Sequence, residues 1–163
     1  MDFSSGSLGH NLSVGVGMCF ASRFRKGDDR TFVMLGDGEL HEGQVWEAVM
    51  SASHYKLGNF VALVDANGSS ADGPTSDVMN IEPIAGRFEA FGWCAVEMDG
   101  HDVSQIVEAL PDAKEDVPTV IVARTAKGKG VSFMEESPRE WHLGFLGPND
   151  RERAENEIRS CMI

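Results

Sequence analysis

Asp37 stands between Gly36 and Gly38 directly after the apolar run "TFVML" (residues 31–35), and Asn67 follows a second such run, "FVALVD" (residues 60–65). Their separation is 67 − 37 = 30 residues, the length of one strand-helix-strand unit. A carboxylate and an amide oxygen brought together at neighbouring strand ends suit a hard, oxygen-preferring cation such as magnesium. That ion keeps few protein ligands and takes the rest from phosphate and water. Flanking glycines let the backbone approach a phosphate and leave N–H groups to donate to it. The same residue types also build tight turns and loop caps, so spacing alone leaves both readings open.

The elements that must carry these residues follow from hydrophobic pattern. Leu12, Val16, Phe20 and Phe24 recur at every fourth position and predict a helix that stops at Gly27. Val45, Ala48, Val49, Ala52 and Tyr55 predict a second, and Ile84, Phe88 and Phe91 a third closed by Gly92. "ANGSSADGPTSD" (66–77) has the composition of a loop. "WCAVEM" (93–98) and "TVIVAR" (119–124) predict two further strands, with the helix "VSQIVEAL" (103–110) between them behind an Asp102 cap. Strands that are apolar without alternation, interleaved with helices, indicate an α/β fold. It is a doubly wound, mainly parallel sheet flanked by helices, which places ligands beyond the carboxyl ends of its strands. The charged stretch 148–160 predicts a last, exposed helix capped by Asn149, with Glu152 three residues on, as a solvated face or a contact with another chain.

With 163 residues and 42 % hydrophobic composition, residues 1–163 are expected to form one domain. The 26 acidic and 14 basic residues give a net charge of −12, which disfavours nucleic acid and anionic membranes. Positive charge is concentrated locally in "TAKGKG", where Lys127 and Lys129 could receive an anion. Cys19, Cys94 and Cys161 form no CxxC pair and read as reduced thiols. No signal peptide or membrane-length apolar run is present, so a cytoplasmic location is expected. Trp46 and Trp93 read as packing residues, His101 as part of a turn before a helix, and His10 and His41 offer no base-orienter constellation.

"TAKGKGVS" is not a P-loop, because glycine rather than Ser or Thr follows Lys129, and no GxGxxG follows a strand. The order "SGSLGHNLSVGVGM", "GDGELHEGQVWEA", "VDAN", "DGHD", "TAKGKGVSFMEE" and "WH" resembles instead the diphosphate-binding domain of transketolases, over nearly the whole chain. The resemblance implies thiamine diphosphate as cofactor with magnesium, for which calcium or manganese can substitute. It implies an enzyme that moves a two-carbon ketol unit from a ketose phosphate to an aldose.

Carried over by position, the resemblance makes Asp37 and Asn67 side-chain ligands of the metal, with the backbone carbonyl of Ser69 as a third. Gly36 and Gly38 then approach the diphosphate, Gly38 donating its N–H, and Gly6 and Leu8 line the cofactor. His142 becomes the catalytic candidate beside diphosphate and substrate, while Glu42 and Glu47 match acids at the subunit interface that link cofactors; exposed charge opposing a helix dipole is the alternative account of both glutamates. The resemblance further implies sugar-phosphate substrates, assembly as a homo- or hetero-oligomer and a separate pyrimidine-binding subunit, with an earlier segment usual in the family. Three residues depart from its pattern: Asn11 stands where glycine is usual, and Ser69 and Ala71 where bulky aliphatics pack on the cofactor ring. A non-catalytic thiamine-diphosphate-binding or regulatory module and a truncated structural remnant are the alternatives to a catalytic subunit.

Overall fold

The computed structural model describes residues 2–110 and 116–161. Four strands, β1 (Thr31–Gly36), β2 (Phe60–Ala66), β3 (Cys94–Asp99) and β4 (Thr119–Arg124), form a wholly parallel sheet in the order β1-β2-β4-β3. Phe32 lies beside Val61, Leu63 beside Ile121, and Val96 beside Ile121 from the other edge. Three helices, α1 (His10–Phe24), α2 (Gly43–His54) and α4 (Ile84–Ala90), supply one apolar layer. Leu12, Val16, Val45, Val49, Ile84 and Phe88 pack there with Val33, Leu35, Phe60, Val64 and Val122 of the strands. On the opposite face Ile106 and Ala109 of α5 (Val103–Ala109) pack on Val61, Met98 and Ile121. Helices on both faces make the sheet doubly wound, as its unbroken apolar strands require. The β1 side of the second face is open, with Phe32 and Met34 exposed.

Close approach explains one of the α1 glycines: a Cβ on Gly15 would fall 2.6 Å from Val33 Cγ2 and 2.7 Å from Phe60 Cε2, so only glycine lets the helix sit this near the sheet. The helix ends correct the sequence reading in detail. Gly92, at φ +87°, closes the third helix as expected, whereas α1 turns at Lys26, φ +54°, and Gly27 only supplies the N–H that returns to the Ser22 carbonyl. The left-handed position that terminates a helix is therefore taken here by lysine. A short helix α3 (Thr75–Val78) interrupts the region expected to be loop, and β3 starts at Cys94 because Trp93 is drawn into the core, its Nε1 donating to the Val49 carbonyl at 2.9 Å. Trp46 packs on Phe88 and Phe91 and donates to the Leu40 carbonyl. Asp102 caps α5 by accepting from the N–H groups of Ser104 and Gln105.

After β4 come α6 (Ser132–Glu136) and α7 (Pro148–Cys161). Asn149 is not the cap of α7: the helix opens with Pro148, whose missing N–H costs nothing in a first turn, and Asp150 accepts from Gly147 N–H. Glu157 on α7 accepts from the N–H and hydroxyl of Ser132, and the Arg153 guanidinium lies 4.7 Å over the Phe133 ring, fastening the charged helix to α6.

Candidate functional site

The carboxyl ends of β1, β2 and β4 converge on one edge of the sheet. The ladder between β1 and β2 runs one step beyond β1, Asp37 N–H donating to the Asp65 carbonyl at 3.1 Å, and this sets Asp37 directly above the strand pair. Asp37 is buried, and it begins a short 3-10 turn, Gly38–His41. One carboxylate oxygen accepts from Gly38 N–H at 2.8 Å and the other from Gly68 N–H at 2.6 Å. Burial pushes this carboxyl above the ordinary aspartate range, and the nearby Asp65 charge adds to the rise; the two N–H donors and the Lys127 charge oppose it.

Asn67 sits where β2 gives way to a loop. Its Nδ2 donates to Asp65 Oδ2 at 3.1 Å and its Oδ1 accepts from Ser69 N–H at 3.0 Å, so partners on both sides fix which end of the amide is which. Asp65 in turn accepts from the Thr125 hydroxyl beyond β4. Gly38 and Ser70 meet where the two loops touch, a Cβ on Gly38 falling 3.1 Å from Ser70 Cβ. Asn67, Ser69, Pro74, Glu136 and Arg139 line a cleft of about 370 Å³ beside this loop.

Lys127 lies in the loop after β4, and its Nζ is 2.6 Å from His142 Nδ1. An ammonium can only donate, so Nδ1 accepts and the neutral ring carries its proton on Nε2. The structure thus brings Asp37, Asn67, Gly36, Gly38, Lys127 and His142 to one edge. Gly6 and Leu8 lie on the exposed segment leading into α1. That segment is tethered by Glu39, a buried carboxylate whose Oε1 accepts from Gly9 N–H at 2.8 Å, with Gly36 N–H 3.4 Å from its other oxygen. Glu42 is exposed before α2, and its Cβ would sit 3.0 Å from a Cβ on Gly9; Glu47 is exposed on α2. His10 is exposed at the start of α1, and the buried Nε2 of His41 has no partner among the described residues.

Gly38 N–H donates to the carboxylate of its own neighbour Asp37. Asn11 lines a groove with Phe3, Met18 and Phe32, and its Oδ1 is buried without a partner among the described residues. Asp65, Thr125 and Glu39 were not singled out from sequence. Asp65 had a readable signal: it stands two positions before Asn67 at a strand end, so strand alternation places both on one side.

The donor set fits a small hard cation. Each oxygen of Asp37 and the Oδ1 of Asn67 uses one lone pair on an N–H and retains another, and among the described residues no three His, Cys, Asp or Glu side chains cluster as a metal cage. Magnesium, which needs only one or two protein carboxylates when phosphate is present, matches such a sparse oxygen set.

The sequence profile of the family described as "Transketolase, thiamine diphosphate binding domain" matches residues 1–157. The chain belongs to the transketolase family. It is 40 % identical over 160 residues to a protein of Phocaeicola vulgatus named as one subunit of an apulose-4-phosphate transketolase, covering 97 % of this chain and 57 % of that protein. It is 43 % identical to human transketolase over 162 residues, which is 98 % of this chain and 25 % of that enzyme. The crystal structure of transketolase from Campylobacter jejuni superposes with a TM-score of 0.76 at 28 % identity, covering 95 % of this chain and 29 % of that one. The chain therefore spans a little over half of the Phocaeicola relative and about a quarter of the long transketolases. Among the described residues no helix is long and apolar enough to cross a membrane.

Proposed function

We propose that this chain is the diphosphate-binding part of a two-component transketolase, which transfers a two-carbon ketol unit from a ketose phosphate to an aldose acceptor once a separate pyrimidine-binding chain completes the site. The observation that carries this reading is the meeting of Asp37, Asn67 and Lys127 at one sheet edge of a transketolase-family domain. Bound thiamine diphosphate supplies the carbanion chemistry on which ketol transfer depends. Asp37 and Asn67, with the Ser69 carbonyl, hold magnesium, and calcium or manganese can take its place on the same oxygens. Gly36 and Gly38 leave room for the diphosphate, Lys127 contributes the facing positive charge, and Gly6 and Leu8 line the cofactor from the α1 side. His142, with its proton on Nε2, donates to an oxygen of diphosphate or substrate and is held in that tautomer by Lys127. Glu42 and Glu47 face a neighbouring subunit of a homo- or hetero-oligomer, and a cytoplasmic location belongs to the same reading.

Support for a partner comes from relatives whose names make them single subunits of an apulose-4-phosphate transketolase and which match almost all of this chain's length. The test mixes the chain with a pyrimidine-binding transketolase chain, magnesium, thiamine diphosphate and a ketose phosphate. Two-carbon transfer in the mixture and in neither component alone supports the reading. Turnover by this chain alone contradicts the two-component form, and tight cofactor binding without turnover in any pairing favours a non-catalytic binding module.

A further inference from the structure

We propose that His101 is a positioning residue for Lys127, aiming its ammonium at the diphosphate site by holding the backbone of Ala126. The inference rests on the function proposed above. Where β4 ends, the chain leaves the sheet, and the loop that carries Lys127 must be fixed without a strand ladder. Thr125 is held from the β2 side, its N–H 3.4 Å from the Ala66 carbonyl and its hydroxyl donating to Asp65. Ala126 is held from the β3 side, its N–H donating to His101 Nε2 at 2.8 Å. Accepting there requires a neutral ring protonated on Nδ1.

His101 is itself fixed by the turn it occupies. Its N–H donates to Asp99 Oδ1 at 2.9 Å, Asp102 N–H returns to the Asp99 carbonyl at 3.2 Å, and Gly100 N–H donates to the Arg124 carbonyl at 2.8 Å. Gly100 presses against the start of the loop so closely that a Cβ would lie 2.5 Å from Thr125 Cγ2 and 2.9 Å from Ala123 Cβ. The turn "DGHD" is thus a clasp on residues 123–126, and its last contact is made one residue before Lys127. Two histidines act on either end of that lysine: His101 fixes the peptide from which the side chain departs, and His142 receives its ammonium. Removing the first contact frees the Ala126 peptide to rotate and lets the Lys127 stem swing away from Asp37.

The experiment titrates thiamine diphosphate with magnesium into the full chain by calorimetry, comparing wild type with His101→Phe, His101→Gln, Lys127→Met and the His101→Phe/Lys127→Met double variant. Glutamine places an acceptor near the position of Nε2. The expected result is about three- to tenfold weaker binding for His101→Phe, the worth of one backbone hydrogen bond. His101→Gln should stay within about twofold of wild type, and His101→Phe should add less than about twofold once Lys127 is already gone, because the two changes then share one contact. Amide exchange at Ala126 should accelerate in His101→Phe and stay slow in His101→Gln, a readout independent of cofactor. Unchanged binding by His101→Phe, a loss that persists in full without Lys127, or unaltered exchange at Ala126 overturns the proposal. A wild-type chain that binds no thiamine diphosphate even with a pyrimidine-binding transketolase chain present overturns instead the functional reading beneath it, and the role assigned through Lys127 falls with that reading.

Discussion

Replacing Glu39 with alanine should loosen the junction between the two segments expected to flank the cofactor. Glu39 is 8 % exposed and accepts from Gly9 N–H at 2.8 Å across 30 residues of sequence, while the contact with Gly36 N–H at 3.4 Å adds little. A hydrogen bond to a charged group contributes about 1.5–3 kcal/mol, and its removal leaves a buried N–H unpaired. Relief of a buried charge offsets part of this, so the net loss is about 1.5–2 kcal/mol. For a domain of this size that corresponds to a melting temperature lower by about 3–8 °C. Urea and thermal unfolding of the cofactor-free chain measure both quantities. Glu39→Gln keeps one acceptor for Gly9 but turns an NH2 toward Gly36 N–H, so it should fall between wild type and alanine. A Glu39→Ala chain within about 0.5 kcal/mol of wild type, the scatter of ordinary surface substitutions, would refute the tether.

The two glycines of α1 should respond oppositely to alanine. Gly15→Ala forces a Cβ against fully buried Phe60 and against Val33, and the overpacking cost of about 1–3 kcal/mol exceeds the helix-propensity gain of about 1 kcal/mol. Gly17→Ala meets nothing within 4 Å and should be neutral or stabilising by up to about 1 kcal/mol; chemical denaturation separates the two. Glu82 is held below the ordinary glutamate range first by its hydrogen bond to the Arg124 guanidinium. Its contribution is therefore complete above about pH 4.3 and disappears as pH falls through the lower folded-state value. Because the pair is 38 % and 46 % exposed, Glu82→Gln should cost under about 1 kcal/mol near neutrality and nothing in strong acid, read from unfolding free energy against pH. Asp37 has the opposite sign: its raised value makes the ionised carboxylate a cost to the cofactor-free chain, one that is absent below about pH 3.9 and complete above the folded-state value. Magnesium-dependent cofactor binding should consequently weaken at a higher pH than an ordinary aspartate would give, measurable as affinity against pH.

The strands and their parallel pairing were legible because buried runs such as "FVALVD" and "TVIVAR" leave no polar face to expose. That Asp37 and Asn67 end neighbouring strands on one edge followed from the same logic, since adjacent parallel strands bring their carboxyl ends together. What sequence could not supply was the support around them. Glu39 looks like surface charge in "GDGELHEG", and only the fold shows that a 3-10 turn points it inward at Gly9. Lys127 and His142 lie 15 positions apart with no periodicity to relate them, and their contact depends on how the loops after β4 return. Helix ends were read least well, because lysine at Lys26 and Lys56 adopts the left-handed turn for which glycine is the usual marker.

The central claim is that Asp37 and Asn67 hold a magnesium-bound diphosphate. Its most direct test is calorimetric titration of thiamine diphosphate into the chain with magnesium, then with a chelator, in wild type and Asp37→Ala. The account predicts binding that needs the metal and is lost in the variant. Equal affinity with chelator, or an Asp37→Ala chain that binds as wild type does, would contradict it.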